Sequence, residues 1–247
     1  MAAASAPSPG FAATPPTQAP DVVVFCDISL REALAQAGQV WQSRTGVPVR
    51  VFTASLGQNA ELVVHGARAD IVVGIGAQRI DDAQKLGAFE RGAPVVIGHD
   101  PIVLAVRGGN GKPFQYRAGD DAGTALGNGQ IGVTDTAIGS AGADTRTALA
   151  AVGLWPILEP RSIGAETTDS LKQMLRDGHV AFAALYKTDL AGETDLTVRA
   201  TFPSTPASTV AAALAMKPTS PNAKDFLAFL TADGGQSVLR QNGMEPP

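Results

Sequence analysis

Short apolar runs alternate along this chain with longer stretches in which apolar residues recur every three or four positions. Val22–Phe25 is a continuous apolar run, the pattern of a strand covered on both faces. Leu30, Ala33, Leu34, Ala37, Val40 and Trp41 then follow at helical spacing, and Gly46 marks the stop. The same unit repeats, with a strand over 47–52, a helix from Ser55 to before Gly66, a strand over 69–74 and a short helix over 80–86. Val95–Ile97 and Ile102–Val106 read as extended, the second crossing toward another lobe, and 114–129 reads as loop with a short helix. Further strands are predicted over 130–133, 180–186, 196–202 and 210–216, and helices over 140–152, 166–177, 222–230 and 235–241. This rhythm predicts an α/β fold with a mostly parallel sheet and helices on both faces.

Four of these helices open on Ser or Thr, at Ser29, Ser55, Ser140 and Thr167-Thr168. Ser29 with Glu32, and Ser55 with Gln58, fit the capping box, in which side chains at the cap and three residues later satisfy each other's backbone N–H. A helix start carries unpaired N–H groups and partial positive charge, so several converging at the strand ends of an α/β sheet would hold an anion. The same residues also serve as ordinary helix caps, and the pattern alone leaves both readings open.

Composition narrows the class. The 247 residues suffice for one large domain or two lobes, and 45% hydrophobic with 17% charged residues is a globular balance. The net charge of −4, with Lys and Arg scattered singly, excludes a nucleic-acid surface. No apolar run reaches the roughly 18 residues of a membrane span. Residues 1–20, rich in Ala, Pro, Ser and Thr, read as a disordered leader or linker. Cys26 is the only cysteine, so no internal disulfide forms, and it reads as a small buried hydrophobe.

Several segments in order resemble the molybdate-binding proteins of ABC transporters. Val24-Phe25-Cys26-Asp27-Ile28-Ser29-Leu30 is similar to that family's opening strand and "AASL" turn, and His65 to Ile71 to its "GAPAD" segment. Asp135 followed by Ala141-Gly142 resembles the "DPxxxPAG" turn, Val180–Tyr186 with Lys187-Thr188-Asp189 the strand ending in a pocket Tyr, and Ala200-Thr201-Phe202-Pro203 another recurrent segment. The likeness runs over about residues 21 to 245. It implies a two-lobed periplasmic-binding-protein fold with mixed, mostly parallel sheets. Lobe 1 would comprise residues 21–104 and 204–247, and lobe 2 residues 105–203. It further implies a molybdate or tungstate oxyanion held between the lobes, no cofactor, no directly bound metal and no catalysis. Ser29 and Ser55 would supply hydroxyl and backbone donors, Ala141 and Thr168 backbone N–H groups, and Tyr186 its phenol. Such a neutral ring suits a deprotonated tetrahedral dianion, which only accepts hydrogen bonds. The implied setting is an exported, periplasmic monomer, lipid-tethered or free, that serves a membrane permease.

The chain departs from that pattern at Asp27, where the family has Ala. A carboxylate there either turns away to bond local backbone or faces the ligand, favouring an oxyanion that keeps a proton or a solute that carries a cation. The turn 136–140 lacks both family prolines, Arg68 replaces another, and Ser55 aligns only with a one-residue insertion at Leu56-Gly57. Three further readings therefore stand beside molybdate transport. One keeps the fold with a different solute, and one makes the chain a ligand sensor for a signalling partner. The third is a catalytic protein using Asp27 or Asp135 with His65, His99 or His179.

Overall fold

The continuous apolar runs at 22–26 and 71–75 become central strands, and the alternating run at 49–53 becomes an edge strand. The computed structural model describes residues 20–90, 92–108, 114–121, 126–135 and 140–247. Nearly all of the leader segment, residues 1–19, lies outside the described residues, as do 136–139 of the turn before Ala141. The short helix expected within 114–129 falls partly on 122–125, which are also outside them.

Eleven strands among the described residues form two sheets. The first joins β1 (Val22–Cys26), β2 (Val49–Thr53), β3 (Ile71–Ile75), β4 (Val95–His99) and β11 (Thr209–Leu214) in the order β2-β1-β3-β11-β4. The second runs β6-β10-β5-β9-β7-β8. Its strands are β5 (Ile102–Arg107), β6 (Phe114–Gln115), β7 (Ile131–Thr134), β8 (Ser162–Ala165), β9 (Phe182–Tyr186) and β10 (Leu196–Thr201). Five of the nine pairings are parallel, so each sheet is mixed. All five residues of β1 and of β3 are buried, because both strands are inside the sheet and covered on both faces.

The helices are α1 (Arg31–Thr45), α2 (Leu56–Val64), α3 (Ala77–Leu86), α4 (Ser140–Ala151), α5 (Trp155–Leu158), α6 (Thr168–Arg176), α7 (Ala223–Thr231) and α8 (Asp233–Gln241). The stop predicted at Gly46 holds: Gly46 caps α1 at φ 75°, a left-handed turn open to glycine. The capping box predicted at Ser29 does not form. Ile28–Leu30 make a 3-10 turn instead, and α1 starts at Arg31 after Leu30 with no side-chain cap. The box expected at Ser55 with Gln58 does form, and a further one, at Thr167 with Ser170, opens α6. α5 and β8 carry too short and weak a pattern to be predicted, four residues each.

Two segments cross between the sheets, Asp100-Pro101 from β4 to β5 and 202–208 from β10 to β11. They are tied together where Asp100 N–H donates to the Ser208 carbonyl at 2.8 Å and Phe202 N–H to the Ile102 carbonyl at 3.1 Å. Asp100 is wholly buried there. Thr188 donates to its carboxyl through both the hydroxyl (2.5 Å) and the backbone N–H (3.2 Å), and burial pushes the Asp100 pKa up to about 8. Asp70, in the His65–Ile71 segment, is structural: its buried carboxylate accepts from the N–H groups of Val23, Thr219 and Ser220.

Candidate oxyanion cleft between the lobes

The strand-to-helix turns of both lobes open onto one cleft of about 680 Å³. All six residues singled out in the sequence line it: Asp27, Ser29, Ser55, Ala141, Thr168 and Tyr186. The first turns of α2, α4 and α6 meet there, through Ser55 and Gln58, Ser140 and Ala141, and Thr167 and Thr168. Each brings the partial positive charge of a helix start to the same space, although side-chain caps take the N–H groups of Leu56, Gln58 and Ser170. The start of α4 sits hard against the end of β7. A Cβ on Gly142 would stand 2.5 Å from the Thr134 carbonyl oxygen and 2.8 Å from Asp135 backbone, so only glycine permits this approach.

The three side-chain donors expected from the sequence, Ser29, Ser55 and Tyr186, already have internal acceptors. The Ser55 hydroxyl takes the Gln58 N–H at 3.3 Å and donates to the Gln58 amide oxygen at 3.1 Å. The Ser29 hydroxyl donates to Asp189, whose carboxylate also accepts the Tyr186 N–H at 3.1 Å. The Tyr186 hydroxyl, fully buried at the end of β9, donates to Asp144. Asp144, in α4, also takes both terminal nitrogens of Arg79 from α3, one at 3.0 Å. Arg79 is held by its Nε donating to the Ile75 carbonyl at 2.8 Å, and Gly76, at φ 96°, leaves room for the folded-back guanidinium. Arg79, Asp144 and Tyr186 thus form a chain linking the two sheets at the back of the cleft.

Asp27 bonds backbone N–H groups, but from two other strand-to-helix turns rather than from its own. Its carboxylate accepts the Leu56 N–H at 3.2 Å and the Ile75 N–H at 2.8 Å, drawing together the ends of β1 and β3 and the start of α2. Burial pushes its pKa up to about 6, opposed by those two bonds and by Arg79. Burial likewise raises Asp189 to about 6, against the Ser29 hydroxyl and Lys172. Lys172 and Arg31 are the cations of the cleft lining, facing Asp27, Glu32, Asp135, Glu166, Asp169 and Asp189. Lys172 is itself paired with Asp169 at 3.1 Å and Glu193 at 2.9 Å. None of the three histidines lines the cleft. Cys26 is buried and its pKa is raised by desolvation, which suppresses the reactive thiolate.

Residues 22–245 match the profile of the bacterial extracellular solute-binding proteins. The chain belongs to that family. Curated relatives agree. The chain is 27% identical over 252 residues to molybdate-binding protein ModA of Mycobacterium tuberculosis, covering 100% of this chain and 93% of that protein. It is 24% identical over 183 residues to molybdate-binding protein ModA of Escherichia coli, covering 74% of this chain and 71% of the relative. Among solved structures, the substrate-binding domain of a putative molybdenum ABC transporter from Clostridium difficile aligns with a TM-score of 0.71. That alignment has 14% identity and covers 93% of this chain and all of the other. The Azotobacter vinelandii periplasmic molybdate-binding protein aligns at 0.67 and 14% identity, over 92% of this chain and all of that one. A periplasmic thiamin-binding protein also aligns at 0.67, with 13% identity over 93% of this chain and 84% of that one. The solved structures show the two-lobed α/β fold, and the family match makes the chain a solute-binding protein rather than an enzyme.

Asp189 and Thr134 line this cleft, and Arg79 and Asp144 stand behind Tyr186; the sequence singled out none of the four for a site role. Asp189 lies three residues after Tyr186 and was within reach of a local reading. Arg79 and Asp144 stand 65 residues apart, and no local signal joins them.

Proposed function

We propose that the solute is a tetrahedral oxyanion of the molybdate and tungstate class, captured for import through an ABC permease. The observation that supports it best is the convergence of three helix N-termini on one cleft. In this reading Ser29 and Ser55 donate from lobe 1, while Ala141 and Thr168 offer backbone N–H groups from lobe 2. Tyr186 has one hydroxyl proton, now on Asp144, and contributes by swinging it to the ligand. Lobe 1, built on the first sheet, and lobe 2, built on the second, close about the crossings at Asp100-Pro101 and 202–208, so the boundary expected after residue 104 moves to before β5. The protein works as an exported monomer in the periplasm or on a lipid tether.

The excess of carboxylates in the cleft favours a second reading, a solute that keeps a proton or carries a cation. Titration calorimetry on dialysed protein with molybdate, tungstate, sulfate, phosphate and thiamin separates the two. Heat with molybdate and tungstate alone supports the first reading. Heat with phosphate or thiamin and none with molybdate overturns it in favour of the second.

A further inference from the structure

Thr134 ends β7 at the cleft and is 6% exposed, yet its hydroxyl oxygen has neither water access nor a hydrogen-bond partner. Other buried polar atoms without partners, among them Trp41 Nε1, Thr145 Oγ and Trp155 Nε1, belong to residues outside the cleft lining. Thr134 is also the residue on which the first turn of α4 rests, since its carbonyl is the atom nearest to Gly142. A valine would fill the same volume with no polar atom to desolvate, and would suit a strand equally well. An unpaired buried hydroxyl lowers stability, and a ligand oxygen would supply the missing partner.

We propose that the Thr134 hydroxyl is a specificity-determining donor to the bound oxyanion. This rests on the oxyanion reading above and deepens it. In that reading lobe 2 contributes backbone N–H groups at Ala141 and Thr168 and the Tyr186 hydroxyl, which already donates to Asp144. Thr134 adds a neutral side-chain donor at the end of β7, the strand against which the start of α4 packs. The hydroxyl thus destabilises the ligand-free fold and strengthens the complex, a pairing of effects typical of binding sites.

The opposite signs make the test sharp. Thr134→Val and Thr134→Ser are compared with the parent protein by molybdate calorimetry and by thermal unfolding without ligand. Thr134→Val is expected to weaken molybdate binding by about 10- to 100-fold, the range for a hydrogen bond to a charged group. The same variant should unfold at the parent temperature or above it, and Thr134→Ser should bind within about threefold of the parent. Undiminished binding by Thr134→Val overturns the proposal, as does weakened binding that tracks a lowered unfolding temperature. Silence of the parent protein toward molybdate overturns the oxyanion reading and the proposal with it, which is a distinguishable result.

Discussion

Removing the Asp144 carboxylate should uncouple the back of the cleft. Its side chain is 5% exposed and accepts three hydrogen bonds, two from Arg79 and one from the Tyr186 hydroxyl. In Asp144→Asn the volume is kept and the charge is lost. Arg79, 31% exposed, loses its hydrogen-bonded counter-charge and keeps only the more distant Asp27, and the buried Tyr186 hydroxyl loses a charged acceptor. Breaking one side of a buried ion pair costs about 3–5 kcal/mol. Water reaches about a third of Arg79, which places the expected loss near 3 kcal/mol, at the low end of that range. Urea unfolding followed by the fluorescence of Trp41 and Trp155 reads this as a fall of about 1 M in midpoint, taking a slope near 3 kcal/mol/M. Arg79→Met alone should be comparably harmful, because it leaves the carboxylate unpaired. The double variant should recover much of the loss, giving a coupling of at least about 1.5 kcal/mol in the cycle. A loss below about 1 kcal/mol in Asp144→Asn, or additive single effects, would refute the claim that the pair is desolvated and coupled.

Two further outcomes follow from the same geometry. Asp100 sits near pKa 8 in the fold against 3.8 ordinarily, so the folded state holds a proton that the unfolded chain has released. Its stabilising contribution is complete below about pH 4 and is lost as pH rises through 8. Asp27 and Asp189 act in the same direction but only up to about pH 6, so between pH 6 and 8 the slope should disappear in Asp100→Asn. Parallel pH profiles for parent and variant in denaturant titrations would count against it. Gly142→Ala should push the start of α4 off β7 and weaken molybdate binding about tenfold or more, with α4 itself intact by circular dichroism. Unchanged affinity would mean that the α4 terminus is not a ligand contact.

Much of the architecture is written in short-range patterns. The continuous apolar runs marked β1 and β3 as buried on both faces, and Gly46 marked the end of α1 because a left-handed cap is local chemistry. The capping box at Ser55 is equally local, closed within four residues, and so was legible. The order of segments carried the resemblance, and with it the positions that line the cleft. Ser29 shows where that ends. Its spacing to Glu32 fits a capping box, but the neighbouring chain supplies Asp189, 160 positions later, as a stronger acceptor for the hydroxyl. Only the tertiary structure could aim the Asp27 carboxylate at the N–H groups of Leu56 and Ile75, because those donors come from separate strand-to-helix turns. It alone joins Arg79 to Asp144 across the two sheets and buries Asp100 at the crossing against Thr188. Periodicity and capping act over one or two turns of chain, whereas desolvation and charge pairing depend on what the rest of the fold brings alongside.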